Sequence, residues 1–263
     1  MKRTVLALLV ITFIIGDTTV FAERIQWGFK RGQNEKQADA GPMYEALLEK
    51  YDGLYMGDSK EKVVYLTFDS GYEYGYTEKI LDVLKAEGVP ATFFVTGHYL
   101  NSAEDLVKRM VKEGHIIGNH SWHHPDFSAV SDERIREELQ KVKDRTAELT
   151  GQTTMEYLRP PRGVLNERSV RIAKEEGYYH VMWSLAYTDW YVDKQKGPDF
   201  AYQQIMKQLH PGAVILLHSV SKDNADVLER VIRDVRAKGY QFKSLDYHYG
   251  KSEPFDQIFM SGA

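Results

Sequence analysis

The residues able to do chemistry fall in five short stretches, each at the end of a run that reads as a β-strand. In "TFDSG" an apolar run stops at Asp69, a turn follows at Ser70 and Gly71, and Tyr72, Tyr74 and Tyr76 come next. A carboxylate beside a wall of rings marks a pocket. "HSWHH" sets His120 and His124 four apart, so that on a helical turn both imidazoles project from one side and can share an ion, with His123 pointing away. In "RPPRG" two prolines stiffen a loop, so Arg159 can be aimed inward at a carboxylate. Asp189 with Trp190, and His218 at the end of "VILLH", complete the set. Singly, these read as a strand-end aspartate, a solvent-facing histidine cluster, a rigid loop, packing rings and a core histidine. Gathered on one rim, they are the groups of acid–base and metal-assisted catalysis.

The elements that must gather them alternate strictly. Seven strand-like runs begin at "VVYLTF" and end at "YQFKSLD", and each but the last is followed by an amphipathic, helix-like run. Gly88 and Gly114 stop two of the helices, and Ser131 caps the long "DERIREELQKVKDRTAELT". This alternation implies an α/β fold with parallel strands, whose C-terminal ends share the face where active sites form. The strand count predicts a distorted (β/α) barrel of about seven parallel strands, with an open doubly wound sheet as the alternative. Residues 62–247 carry the barrel, 23–61 form a short N-terminal helical extension packed on it, and 248–263 are a tail.

Residues 1–22 have a basic start, an apolar run and small residues at the end, the pattern of a secretory signal peptide; an uncleaved N-terminal anchor is the alternative. Either way the chain is expected to be exported. Its lack of cysteine then means that the core holds the fold without disulfides, which suits the 241 residues from Glu23 onward. Removing Lys2, Arg3 and Asp17 takes the net charge from −4 to −5, and no basic block stands out, so nucleic acid is not an expected partner. Seventeen tyrosines point instead to flat apolar faces such as sugar rings.

Taken in order, "TFDSG", "HSWHH", "RPPRG", "DW" and "LLH" resemble the five motifs of the family 4 carbohydrate esterases, the polysaccharide deacetylases with a NodB homology domain. "WGFKRG", "FDSGYEYGYT" and "HPGAVILLHSVSKDNADVL" are similar to the delta-lactam-biosynthetic branch of that family. The resemblance implies removal of N-acetyl groups from N-acetylmuramic acid in the spore-cortex peptidoglycan of a Gram-positive bacterium. That activity leads to muramic delta-lactam and serves germination, at the cell wall or in the forespore intermembrane space. The implied partner is a glycan strand freed of stem peptides by an amidase, with no stable protein partner.

The resemblance also implies roles. Asp69 would be the base that activates water, Arg159 would keep it charged, Asp189 would tune His218, and His218 would protonate the departing amine. His120 and His124 would bind a divalent ion, zinc or similar, while Trp190 and Leu216 would line the acyl pocket. Ser70 stands where the family usually has a third, carboxylate ligand. The ion is then held by two histidines and water, or takes Asp69 as a ligand, or is absent. Arg162 replaces a common aromatic residue and is expected either to pair with the lactyl carboxylate of muramic acid or to be a rim arginine in water; Tyr72 and Tyr74 would wall the sugar groove. The competing functions are an N-acetylglucosamine or chitooligosaccharide deacetylase, a glycosidase using Asp69 and Asp189, and a catalytically weak glycan-binding relative.

Overall fold

The structure, a computed structural model, describes residues 23–252 and 255. The expected signal segment and most of the expected C-terminal tail lie outside the described residues. Among the described residues no helix is long and apolar enough to cross a membrane.

The seven expected strands form one all-parallel sheet. They are β2 (Val63–Ser70), β3 (Thr92–Val95), β4 (Ile116–Asn119), β5 (Tyr157–Leu158), β7 (Tyr179–His180), β8 (Ala213–His218) and β9 (Gln241–Lys243). Their order is β7-β5-β4-β3-β2-β8, with β9 running parallel to the start of β2. The sheet curls into a distorted half-barrel. Crossovers are made by α2 (Thr77–Glu87), α3 (Gly97–Ser102), α4 (Glu104–Lys112), α5 (Asp132–Thr150), α6 (Glu167–Glu175), α7 (Pro198–Met206) and α8 (Lys222–Ala237). Ser131 caps α5 by accepting from the Arg134 N–H, and α2 ends at a left-handed Gly88, both as the sequence predicts.

β2 is buried along its whole length because both its faces are covered. Its outward residues Val64, Leu66 and Phe68 pack with the helices, while Tyr65 faces inward with Phe94, Tyr157, Val181 and Val214. The two-residue strand period therefore turns Asp69, in phase with Tyr65, toward the barrel axis. On the neighbouring strand it turns His218, in phase with Val214, the same way, and the two are register partners.

The N-terminal segment does more than lean on this barrel. Besides α1 (Pro42–Lys50), it supplies β1 (Ile25–Gln26), which pairs antiparallel with β6 (Val164–Leu165), a two-residue pairing that the alternation pattern does not predict. Leu54 then bridges to Val181 after β7, and Met56 to Ala213 of β8, so residues 54–56 lie across the gap between the two outer strands. Leu54 N–H donates to His180 O and Met182 N–H to Leu54 O, each at 2.7 Å. Next to this seam a Cβ on Gly212 would come within 2.5 Å of Gly57 O, so the approach needs a glycine there. After β9 the chain closes with α9 (Leu245–His248), whose Leu245 packs under Leu54 and Val181.

Leu54 joins the inner core between the two outer strands, where its bridge to Val181 adds to the parallel bridge of Leu185 to Ile215. Leu54→Ala is expected to lower stability by about 2–5 kcal/mol, read as a drop in the urea midpoint with the slope unchanged. A loss below about 1 kcal/mol would mean that the seam bears little of the fold's stability.

Candidate active site

Asp69 and Arg159 meet at the C-terminal end of the barrel, Arg159 Nη1 donating to Asp69 Oδ1 at 2.8 Å. Arg159 is fully buried. Its other two nitrogens each donate to a backbone carbonyl, Nε to Val181 O at 2.9 Å and Nη2 to Met182 O at 3.2 Å. The guanidinium lies 4.3 Å from the Phe94 ring centre, a flat face suited to it. Burial pushes the Asp69 carboxyl up, but its charged neighbours, Arg159 first, outweigh it and hold the pKa below its ordinary value.

Two elements aim this arginine. The prolines bring the loop in, and the N-terminal strand clasps its far side. Trp27 N–H donates to Gly163 O at 2.8 Å, Gln26 Nε2 to Arg162 O at 2.8 Å, and Trp27 Nε1 to Trp183 O at 3.1 Å. Arg162 has a left-handed backbone (φ 59°) and an exposed side chain. It does not line the pocket floor, yet its charge reaches His124. Arg159 and Arg162 thus point to different places, one beneath the pocket and one at its rim.

The "HSWHH" stretch is not the helical turn that its spacing predicts. It is a bend in which Ser121 (φ 63°) and His124 (φ 59°) are left-handed, and this folds the His120 and His124 rings to 4.9 Å between centres. Local bonds hold the bend: Ser121 N–H donates to Asn119 Oδ1 and His124 N–H to Ser121 Oγ. His120 Nδ1 is 2.8 Å from Arg159 O, which leaves Nε2 facing Asp69 Oδ2 at 3.6 Å. Burial, then repulsion from His120, lowers the His124 pKa to about 3, so both rings stay neutral and able to donate lone pairs.

His123 has a task that the sequence reading missed. Its Nδ1 lies 2.7 Å from Glu138 Oε1, and its backbone N–H donates to Glu138 Oε2 at 2.6 Å. Glu138 is wholly buried on α5, paired also with Arg134, and it ties the histidine bend to that helix. A signal was present: positions 135, 138, 139 and 142 form one stripe, apolar except for Glu138.

The second charged pair is Asp189 with His218. The imidazole Nδ1 is 2.7 Å from Asp189 Oδ1, and the His218 backbone N–H donates to Oδ2 at 2.8 Å. Burial lowers the imidazole pKa, but the Asp189 charge and hydrogen bond more than offset it, so the net shift is upward. Trp190 is 43% exposed with its ring 5.4 Å from His218, and it forms one wall of the pocket. Leu216 is buried one inward step below His218, and the apolar residue on the pocket wall there is Val220. Tyr72 forms the opposite wall, and Tyr74 meets its edge at 6.4 Å further out. That loop is fixed by Glu73, whose carboxylate accepts from the N–H groups of Tyr76 and Thr77 and from the Tyr99 hydroxyl.

The pocket, of about 720 Å³, thus brings Asp69, His120, His124, His218, Tyr72 and Trp190 together. It extends past Trp122, His98 and Asn101 at α3, which the motif pattern did not single out. A Cβ on Gly97 would lie 2.2 Å from the Trp122 ring, so that glycine admits the indole.

A divalent ion would need more donors than these. Ser70 Oγ is engaged with Ser219 Oγ at 3.0 Å, both residues being buried. Among the described residues no group of three His, Cys, Asp or Glu side chains is placed to hold an ion. Two imidazoles, with the one nearby carboxylate tied to Arg159, do not fit the three-ligand zinc arrangement.

Comparison with known proteins agrees with this fold. The polysaccharide deacetylase family matches residues 56–181. The peptidoglycan-N-acetylmuramic acid deacetylase PdaA of Bacillus subtilis is 51% identical over 224 residues, 85% of this chain and 85% of that one. The solved structure of that protein, a family 4 carbohydrate esterase, superimposes with a TM-score of 0.85 over 86% of this chain and 97% of that chain. The structure of a family 4 carbohydrate esterase from Bacillus anthracis does so with a TM-score of 0.74 at 51% identity, over 88% of this chain and 98% of that one. The chain belongs to the polysaccharide deacetylase family, hydrolases that act on amide bonds.

Removing the guanidinium leaves a buried carboxylate without its partner, a loss on the order of 3–5 kcal/mol at neutral pH for Arg159→Met. In the native chain the depressed pKa of Asp69 adds stability above its unfolded value of about 3.8, lost as pH falls through the lower folded value. In the variant burial dominates and the folded pKa rises, so acid relieves the penalty. Urea unfolding should therefore show the gap between variant and native chain narrowing from pH 7 to pH 4; a gap constant with pH would contradict a charge-based origin.

Proposed function

We propose that this chain is an exported peptidoglycan deacetylase that hydrolyses the N-acetyl group of N-acetylmuramic acid residues. The observation that carries the reading is a single pocket faced by two oppositely tuned groups. Arg159 shifts Asp69 toward its ionised form, and Asp189 shifts His218 toward its protonated form. The relative named peptidoglycan-N-acetylmuramic acid deacetylase, at 51% identity, supports the substrate.

In this reading Asp69 takes a proton from water, and the resulting hydroxide adds to the acetamide carbonyl. His218 then gives its proton to the amide nitrogen, the C–N bond breaks, and acetate and a free amine leave. Trp190 and Tyr72 hold the sugar between them, and Val220 with Trp190 surrounds the acyl methyl group. The donor set derives no step through a metal ion. The glycosidase alternative loses support because Asp189 is buried behind His218 and does not line the pocket.

The wider reading follows from the same chemistry. Residues 1–22 direct export to the cell wall or forespore space. The product amine, next to a lactyl carboxylate freed of its stem peptide by an amidase, is the precursor of a muramic delta-lactam of the spore cortex. Arg162 at the rim pairs with that carboxylate and favours peptide-free muramoyl residues.

Acetate release from peptide-free muramoyl glycan, with chain length unchanged, is the expected activity of the purified chain. Asp69→Ala should lower it by at least about 10³-fold. Glycan that binds without release would point to a binding protein, and shortened chains to a glycosidase. A parallel assay in chelator separates an ion-assisted route, which would stop, from one that needs no ion. For the rim, Arg162→Ala should cost muramoyl glycan about 10-fold in kcat/KM, while a glucosaminyl glycan, which has no carboxylate, changes little. An unchanged preference would leave Arg162 as a solvated surface charge.

A further inference from the structure

The Asp189–His218 pair rests on a buried amide that the motif pattern did not single out. Asn224, in the first turn of α8, is 1% exposed. Its Nδ2 donates to Asp189 Oδ2 at 2.6 Å and to His218 O at 3.3 Å. Its Oδ1 accepts from the hydroxyl of Tyr187, which is itself buried and packed edge-on against Phe200. An amide carries both donors and acceptors, and Asp189 Oδ2 and His218 O, which only accept, fix its orientation: they take the NH2 end, and the oxygen is left for the Tyr187 hydroxyl, which anchors it by donating.

Asp189 then has all its near lone pairs assigned. Oδ1 takes the imidazole Nδ1, and Oδ2 takes two N–H donors, from His218 and Asn224. With Oδ2 held from two directions the carboxylate cannot rotate, and the imidazole Nδ1 keeps its proton toward Oδ1. That orientation leaves Nε2 for the pocket. The backbone on either side is braced separately: Gln195 Nε2 donates to Asp189 O, its Oε1 accepts from Ser221 Oγ, and Asp223 accepts from the N–H groups of Lys196 and Gly197. Asn224 is the member of this first turn that reaches the carboxylate itself. Asp69 and Arg159 also act on His218, from β2 and from the loop after β5.

We propose that Asn224, anchored through its oxygen by Tyr187, is a positioning residue that sets the Asp189 carboxylate so that His218 presents its proton to the leaving amine. This rests on the reading of His218 as proton donor. Asn224→Asp keeps the side-chain shape but replaces a donor with an acceptor and sets two carboxylate oxygens against each other. Tyr187→Phe removes one hydroxyl, leaves the buried amide oxygen without its donor and loosens the side chain.

The full chain and each variant would be assayed on peptide-free muramoyl glycan, whose amine needs a proton to leave, and on 4-nitrophenyl acetate, whose phenolate does not. Asn224→Asp should lose about 10- to 100-fold in amide hydrolysis, the scale of a misplaced catalytic group, and much less in ester hydrolysis. Tyr187→Phe should shift in the same sense by less, and it decides the matter alone if Asn224→Asp does not fold. Equal losses on both substrates, or none, would overturn the proposal and leave Asn224 a structural residue. His218→Ala is the reference. If it loses amide and ester hydrolysis equally, the reading of His218 fails and the proposal with it. If it alone shows the selective loss, that reading stands and the proposal fails.

Discussion

The buried pair of Arg159 and Asp69 is the constraint around which this end of the barrel is organised. A guanidinium without water must satisfy every donor or impose a large penalty. Here one nitrogen faces Asp69 on β2, and the other two face carbonyls that follow β7. The interaction therefore spans the sheet from β2, beside the edge strand β8, to the opposite edge at β7. Its geometry also fixes His120, whose ring is bonded to the carbonyl of the same arginine. Pair, histidine and strand ends are one assembly, and a shift in any of them moves the others.

A second consequence is electrostatic. The same pocket holds a carboxylate shifted toward its charged form and an imidazole shifted toward its protonated form, and burial opposes both. Each is offset by its own partner, Arg159 for Asp69 and Asp189 for His218, and the partners stand beneath the pocket while the reactive groups face it. His124 shows what happens without such a partner: buried next to another imidazole and within reach of Arg162, its pKa falls to about 3. Opposite shifts at neighbouring positions thus follow from who stands behind each ring.

Much of this was legible in the sequence because parallel β/α alternation converts linear order into a rim. The seven strands, the inward phase of Asp69 and the convergence of five motifs all follow from the period of two and the crossover rule. What escaped were features set by non-local or left-handed backbone. The histidine spacing suggested a helical turn, but two left-handed residues brought the rings together instead, stabilised by Asn119 and Ser121 side chains that periodicity does not weigh. Glu73 and Glu138 looked like surface acids in charged or tyrosine-rich runs. Each anchors a pocket loop, Glu138 fully buried and Glu73 half-buried, recognisable only once partners 26 and 15 residues away are in place.

The N-terminal segment makes the same point about where the site ends. Residues 56–181, the stretch matched by the family, include Asp69, both facing histidines and Arg159. They omit Asp189, Trp190 and His218, the whole second charged pair and its wall, and also Gln26 and Trp27, which hold the arginine loop from outside. That loop contains two residues with positive φ, Arg162 and Gly163, in an arrangement that a free surface turn would readily leave. The β1–β6 pairing and the Trp27 bonds supply the restraint, and residues 54–56 draw the same segment across the barrel seam. A strand of two residues is too short to contribute much stability alone, so its value lies in position: it turns a flexible rim loop into a fixed mount for a buried charge.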